Sequence, residues 1–370
     1  MGNNEKMYST GFAGGRFIRG ARVQLLFISI LLGLFMGLVP TSGALAGQSA
    51  VVFMYHRFGE EDLASTNIRI EQFEAHLKEL QTGGFTVMPL DDVVDALKTG
   101  KELPDKAVAI TIDDAFQSVY TEAWPRLKAA GFPFTIFVST DMVDQRIANY
   151  MNWEQLVEMK AAGVGIGHHT ATHLKMGTSG SVTNRDDVEL ASQRFTEQLG
   201  FVPRLFAYPY GEVSSDVMQL ARDQGFTAAF GQHSGVAGPN PEMFYLPRFS
   251  MNEAYGNIER FRLAANALPF PTTDITPSDP LIGPGDDNPP VFGFTIVGDK
   301  QLRDSLDALN CFASHEGAVE INRLDGGDAG TRIEIRMNKA MPKGRTRVNC
   351  TLLGNDGRWH WFGRQFLVSE

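Results

Sequence analysis

From residue 51 the chain repeats one unit: a short apolar run rich in Val, Ile, Phe or Tyr, a turn, and then a dozen or so residues with helical spacing. Strands are predicted at 51–58, 85–90, 108–113, 132–139, 163–168, 204–208, 226–231 and 244–249. Helices are predicted between them at 70–81, 118–130, 153–162, 185–199 and 214–223, several closed by glycine, as at Gly83, Gly131, Gly200 and Gly225. Strands that alternate with helices pair in parallel, because each crossover carries the chain back to the same sheet edge. Seven or eight such units imply an α/β chain forming a closed or nearly closed (β/α) barrel.

The pattern stops at residue 268. Residues 269–290 hold seven prolines in 22 positions, which neither continue a helix nor donate to a ladder, so they are read as a linker. Beyond it, short alternating runs such as VFGFTIV, TRIEIRM and RTRVNCTLL are separated by Gly-Gly and Asn-Asp-Gly turns, which predicts a small antiparallel, sandwich-like β domain over 291–370. Trp359 and Trp361 share one face of its last strand, where filling the sandwich is favoured over stacking a ligand. Cys311 and Cys350, the only cysteines, lie in separate runs of this region, either as a cross-domain staple or as two buried thiols. Two thiols cannot build a zinc finger or an iron–sulfur site, so any metal must use His and carboxylate.

At the other end, Arg16, Arg19 and Arg22 precede an apolar run from Val23 to Val39, and Ala44-Leu45-Ala46 offers a cleavage site. Residues 1–46 are read as a signal peptide, with an uncleaved inner-membrane anchor as the alternative. Either way the remainder is exported, to a periplasmic or cell-envelope setting. The formal charge is −10, and −13 once residues 1–46 are set aside, which argues against broad nucleic-acid binding.

Three segments at successive strand ends carry chemistry. VAITIDDAF ends in Asp113 and Asp114; neighbours leaving a strand point to different sides, so one carboxylate can hold a metal while the other stays free as a base. In GHHTATH, His169 and His173 can converge on one cation with a carboxylate as third ligand, His168 being an alternative partner for His173. In FAYPYGE, Pro209 and Gly211 shape a turn around Tyr208 and Tyr210 that can aim a backbone N–H into a site.

Together, TIDDA, HTATH and YPYG resemble the polysaccharide deacetylases with a NodB-homology domain, over about residues 51 to 268. The resemblance implies a distorted (β/α) barrel of seven or eight units. It also implies Asp114, His169 and His173 as the ligands of one divalent metal ion, Asp113 as general base, and the Tyr210 N–H as oxyanion donor. Zinc suits this ligand set best, with cobalt, nickel or manganese as alternatives. The chain departs from the family at Ala115, where a Gly is usual, and at Ala207, where the family has an Arg that orients the catalytic Asp. Arg248 in YLPRFS is the candidate replacement, set equally against a surface cation. The family's late Leu-x-His motif is absent, so His233 becomes the candidate proton donor to the leaving amine. His56, Trp153, Tyr208 and Arg248 are candidate substrate contacts.

The expected activity is removal of N-acetyl groups from amino sugars of a polysaccharide or oligosaccharide. The alternatives are O-deacetylation of xylan, cleavage of another amide at the same site, or an inactive carbohydrate-binding envelope protein, for which Ala207 is the suspicious feature.

Overall fold

The computed structural model describes residues 46–369 except Asp62, and gives no side-chain account of Ala46 or Asp328. The expected signal peptide or anchor over 1–46 lies, but for Ala46, outside these residues. No helix among the described residues is long and apolar enough to cross a membrane.

The repeating units form a parallel sheet. Its strands are β1 (Ala50–Tyr55), β2 (Thr86–Val87), β3 (Ala107–Asp113), β4 (Thr135–Val138), β5 (Gly165–His168), β6 (Leu205–Ala207), β7 (Ala228–Phe230) and β8 (Phe249–Ser250). They run in the order β8-β1-β3-β4-β5-β6-β7, with β2 on the first half of one edge of β3 and β4 on the second half. Every residue of β1 and β3 is buried, as expected of strands covered on both faces.

Residues 243–251 draw the two ends of the sheet together. On one side the Leu246 N–H and carbonyl bond Ala229 and Gly231 beside β7; on the other, Phe249 and Ser250 pair with Phe53 and Met54 of β1. This is a distorted barrel whose last member is an irregular segment rather than a full strand. Helices α1 (Ile70–Thr82), α2 (Leu90–Thr99), α3 (Trp124–Ala130), α4 (Thr140–Asp144), α5 (Trp153–Ala161), α6 (Ser181–Leu199), α7 (Ser215–Asp223) and α8 (Ile258–Ala265) complete it.

Residues 269–290 do not run as a linker. With the residue before them they supply β9 (Leu268–Pro269), β10 (Thr272–Thr276) and β11 (Leu281–Ile282). Prolines are admitted because these strands are short and lie at sheet edges, where an N–H is dispensable. The rest of the C-terminal region adds β12 (Phe292–Ile296), β13 (Asn310–Ala313), β14 (Gly317–Ala318), β15 (Glu320–Asp325), β16 (Thr331–Arg336), β17 (Gly344–Leu353) and β18 (Trp359–Val368). One sheet runs β9-β18-β17-β13-β14, with β11 also on β18, and the other runs β10-β12-β16-β15. Phe292, Phe294, Ile333, Val348 and Phe366 fill the space between them, so the region is a sandwich. Pairing within it is antiparallel except where β9 and β11 join β18 in parallel.

Cys311 and Cys350 are directly opposite on β13 and β17 and form a disulfide. The bond therefore ties two strands of one sheet and does not staple one domain to another.

Candidate active site

β3 delivers both carboxylates to the C-terminal mouth of the barrel. Asp113, its last residue, is fully buried and receives a two-pronged ion pair from Arg248, Nη1 to Oδ1 at 2.7 Å and Nη2 to Oδ2 at 2.8 Å. Arg248 is itself fully buried and further anchored by the Gly231 carbonyl and the Thr111 hydroxyl. Burial alone would push the Asp113 carboxyl up, but Arg248, His169 and His56 outweigh it and hold the group below the usual carboxylate value.

The next residue turns the chain. Asp114 and Ala115 have φ of 77° and 55°, so the Asp114 carboxylate leaves the strand direction and faces the mouth. Ala115, where the family has Gly, occupies a left-handed position and bears the corresponding steric cost.

From β5, His168 and His169 diverge. His168 points outward into Phe195, Phe206 and Phe226 and is held by the Thr170 N–H and the Ser192 hydroxyl, so it does not join His173 at the site. His169 points inward: its Nε2 is 3.4 Å from Asp114 Oδ1, and His173 Nε2 is 3.2 Å from the same oxygen. Ligands held about 2.1 Å from one tetrahedral ion are separated by about 3.4 Å, so the spacing fits a metal.

The protonation pattern fits too. His169 Nδ1 is 2.7 Å from the Ala207 carbonyl, which can only accept, so Nδ1 carries the proton and the Nε2 lone pair is turned to Asp114. His169 Nε2 and Asp114 Oδ1 are buried and otherwise without a hydrogen-bond partner, as a cation site requires.

Asp187 is a positioning residue missed in the sequence. From the inward face of α6 it accepts from the Ala171 and Thr172 N–H groups and the Thr172 hydroxyl, fixing the loop that carries both imidazoles. Its signal was an acid on the stripe of Asn184, Val188, Ala191 and Phe195 that α6 buries.

The mouth opens into a cleft of about 640 Å³ lined by Asp114, His173, Tyr210 and His56. Tyr210 sits at φ 61° and its ring packs edge-on to His173, centroids 4.5 Å apart. Gly211 after it has φ of 66°, and a Cβ there would lie 2.6 Å from the Gln232 nitrogen, so the turn needs glycine. His56 Nε2 is 4.0 Å from Asp113 Oδ2, and burial holds its pKa below the usual histidine value.

Three expected site residues lie elsewhere. His233 is buried and faces a different cavity, its ring against Tyr245, although its neighbours Gln232 and Ser234 line the cleft. Tyr208 is fully buried in a cluster with Phe206, its hydroxyl donating to the Phe244 carbonyl. Trp153 packs on Phe195 in the barrel core and donates from Nε1 to Asp144. Conversely Trp361 lines the cleft, edge-on to Phe249 at 5.2 Å, instead of filling the sandwich.

Three buried histidines make the fold acid-labile. Burial, the leading cause in each, brings His168 and His233 down to about 3 and His76 to about 4. A histidine depressed in the folded state stabilises fully above its unfolded pKa of about 6.5 and loses about 1.4 kcal/mol per pH unit below it, until its folded value is reached. At pH 5 the three together cost about 6 kcal/mol, so Tm is expected to fall by on the order of 10 °C between pH 7 and pH 5. A flat Tm over that window, read by differential scanning calorimetry, would contradict neutral burial.

Residues 100–229 match the family model described as polysaccharide deacetylase. A putative polysaccharide deacetylase, YxkH of Bacillus subtilis (strain 168), is 26% identical over 199 residues, spanning 53% of this chain and 69% of the relative. The poly-beta-1,6-N-acetyl-D-glucosamine N-deacetylase of Staphylococcus aureus (strain MSSA476) is 24% identical over 216 residues, 54% of this chain and 73% of that protein. The structure of IcaB from Ammonifex degensii superposes with a TM-score of 0.53 at 27% identity, covering 59% of this chain and 96% of that one. Streptococcus pyogenes deacetylase PplD in complex with acetate gives 0.55 at 21% identity, covering 59% and 99%, and so attests the fold. In fold, in sequence and in the order of its motifs, the barrel of this chain is similar to these polysaccharide deacetylases.

Proposed function

We propose that the protein is a metal-dependent hydrolase that removes N-acetyl groups from amino sugars of an exported polysaccharide or oligosaccharide. The observation carrying this reading is the convergence of Asp114, His169 and His173 on one point, with Asp113 outside that trio and kept charged by Arg248. Asp114, His169 and His173 would hold the ion, and the donor set suits zinc, with cobalt, nickel or manganese able to substitute. A divalent ion bound there supplies Lewis-acid polarisation of the acetyl carbonyl and acidifies the attacking water.

The chain's own residues supply the rest. Asp113, kept ionised by Arg248, accepts the proton of the attacking water. The Tyr210 N–H, in its left-handed turn, donates to the carbonyl oxygen as that atom becomes negative. His56 replaces His233 as proton donor: it is neutral at rest, lies 4.0 Å from Asp113, and can pass the proton gained there to the departing nitrogen. Water adds to the acetyl carbon, the C–N bond breaks, and acetate and a free amine leave. Ala207, which favoured an inactive protein, loses that force because Arg248 pairs with Asp113 in its place. The Arg-flanked apolar run at 16–39 supports export, by cleaved signal or anchor.

Acetate release from N-acetylglucosamine oligomers and from O-acetylated xylan tests the reading. Activity is expected on the former, to vanish on chelation and to return with zinc or cobalt. Release from xylan alone, or turnover indifferent to chelator, would refute it.

A further inference from the structure

The C-terminal sandwich lays one face of its first sheet over the barrel mouth. Side chains on β17 and β18 alternate: Val348, Cys350, Leu352 and Phe366 enter the sandwich core, whereas Arg347, Asn349 and Trp361 line the cleft with Asp114 and His173. The docking is close. A Cβ on Gly363 would lie 2.0 Å from the Ser234 carbonyl oxygen, and Gln365 Nε2 donates to the Gly211 carbonyl at 2.7 Å. Arg345, also in the cleft, donates to the carbonyl of Tyr210 itself at 3.1 Å.

This wall is cationic in a chain of net charge −10. Arg345 has a carboxylate, Glu212, at 3.7 Å. Among the described residues, Arg347 has a buried Nε with no partner, and the Arg260 guanidinium of α8, on the same cleft, meets no carboxylate: it bonds to the Ser250 and Tyr255 carbonyls and the Met251 sulfur and lies over the Tyr255 ring at 4.9 Å. Beside them Trp361 is held by Phe249 and by its Nε1 hydrogen bond to Asn349 at 3.2 Å. A fixed aromatic ring next to partly desolvated guanidinium groups suits a pyranose that carries a carboxylate: the ring takes the apolar sugar face and the forked cation takes the anion.

We propose that the C-terminal sheet forms a subsite for an acidic sugar, so that the amino sugar losing its acetyl group has a carboxylate-bearing neighbour in the same glycan. This rests on the deacetylase reading for its catalytic half only; the binding half stands on Arg260, Arg347 and Trp361.

The test uses two oligosaccharides of equal length, one of N-acetylglucosamine alone and one alternating N-acetylglucosamine with glucuronate. Their binding to the full chain stripped of metal is measured by calorimetry at low salt, and acetate release is measured after metal loading. The acidic oligomer is expected to bind at least tenfold tighter. Arg347→Gln should erase at least fivefold of that preference, Arg347→Lys should restore part of it, and thermal melting should show each variant folded. Equal binding of the two oligomers, or a preference unmoved by both Arg347→Gln and Arg260→Gln, overturns the subsite and leaves the deacetylase reading intact. Preferential binding of the acidic oligomer with no acetate released from either glycan supports the subsite and counts against the activity.

Discussion

Asp113→Asn is expected to keep the metal and to lose acetate release by about 10²- to 10⁴-fold, the usual contribution of a general base. The amide preserves the shape of the side chain and leaves Asp114, His169 and His173 in place, so metal content should stay near one per chain. What disappears is the acceptor for the water's proton. Asp114→Ala is the contrasting case: it removes the oxygen that both imidazoles face at 3.2 and 3.4 Å, so metal and turnover should vanish together. Metal analysis and acetate release on the folded fraction separate the two outcomes. Wild-type turnover in Asp113→Asn would remove this residue from the mechanism.

Arg248→Met should destabilise the protein by about 3–5 kcal/mol, the usual result of stripping one partner from a buried ion pair. Both members are fully buried and joined by two hydrogen bonds, so the remaining carboxylate is left buried without its counter-charge. Adding Asp113→Asn to Arg248→Met should recover much of the loss, because the isolated charge is then gone. Arg248→Lys keeps the charge but not the fork, and is expected to lie between. Urea denaturation checks all three, and a loss below about 1 kcal/mol in Arg248→Met would contradict the pairing.

The barrel was readable because its signals are local. The apolar runs and helical spacing placed strands such as 108–113 and helices such as 153–162 within a residue or two of β3 and α5. The exceptions are segments whose partners lie far away in sequence. The Pro-rich stretch at 269–290 reads as a linker by composition, and only pairing with β12 and β18 makes strands of it. Asn310–Ala313 has no strong pattern of its own and becomes a strand opposite β17.

At the site, TIDDA and HTATH declared themselves through residue type, spacing and position at strand ends. His233, Tyr208 and Trp153 share that chemistry but differ in direction, and direction is set by packing. The His233 ring packs on Tyr245 while Gln232 and Ser234 on either side face the cleft, Tyr208 anchors to Phe244, and Trp153 caps the core against Phe195. Trp361 erred the other way: its strand is two-faced, and which face meets the barrel depends on how the sandwich docks.

The sequence alone therefore determined an α/β barrel, two neighbouring carboxylates and a histidine pair at strand ends, since periodicity and short spacing are properties of contiguous residues. The tertiary structure decided that Arg248 closes on Asp113 across 135 positions, that His56 rather than His233 shares the mouth, and that the C-terminal sheet walls the cleft. Those outcomes depend on side-chain direction and on which surfaces pack together, and neither is encoded in any local stretch of chain.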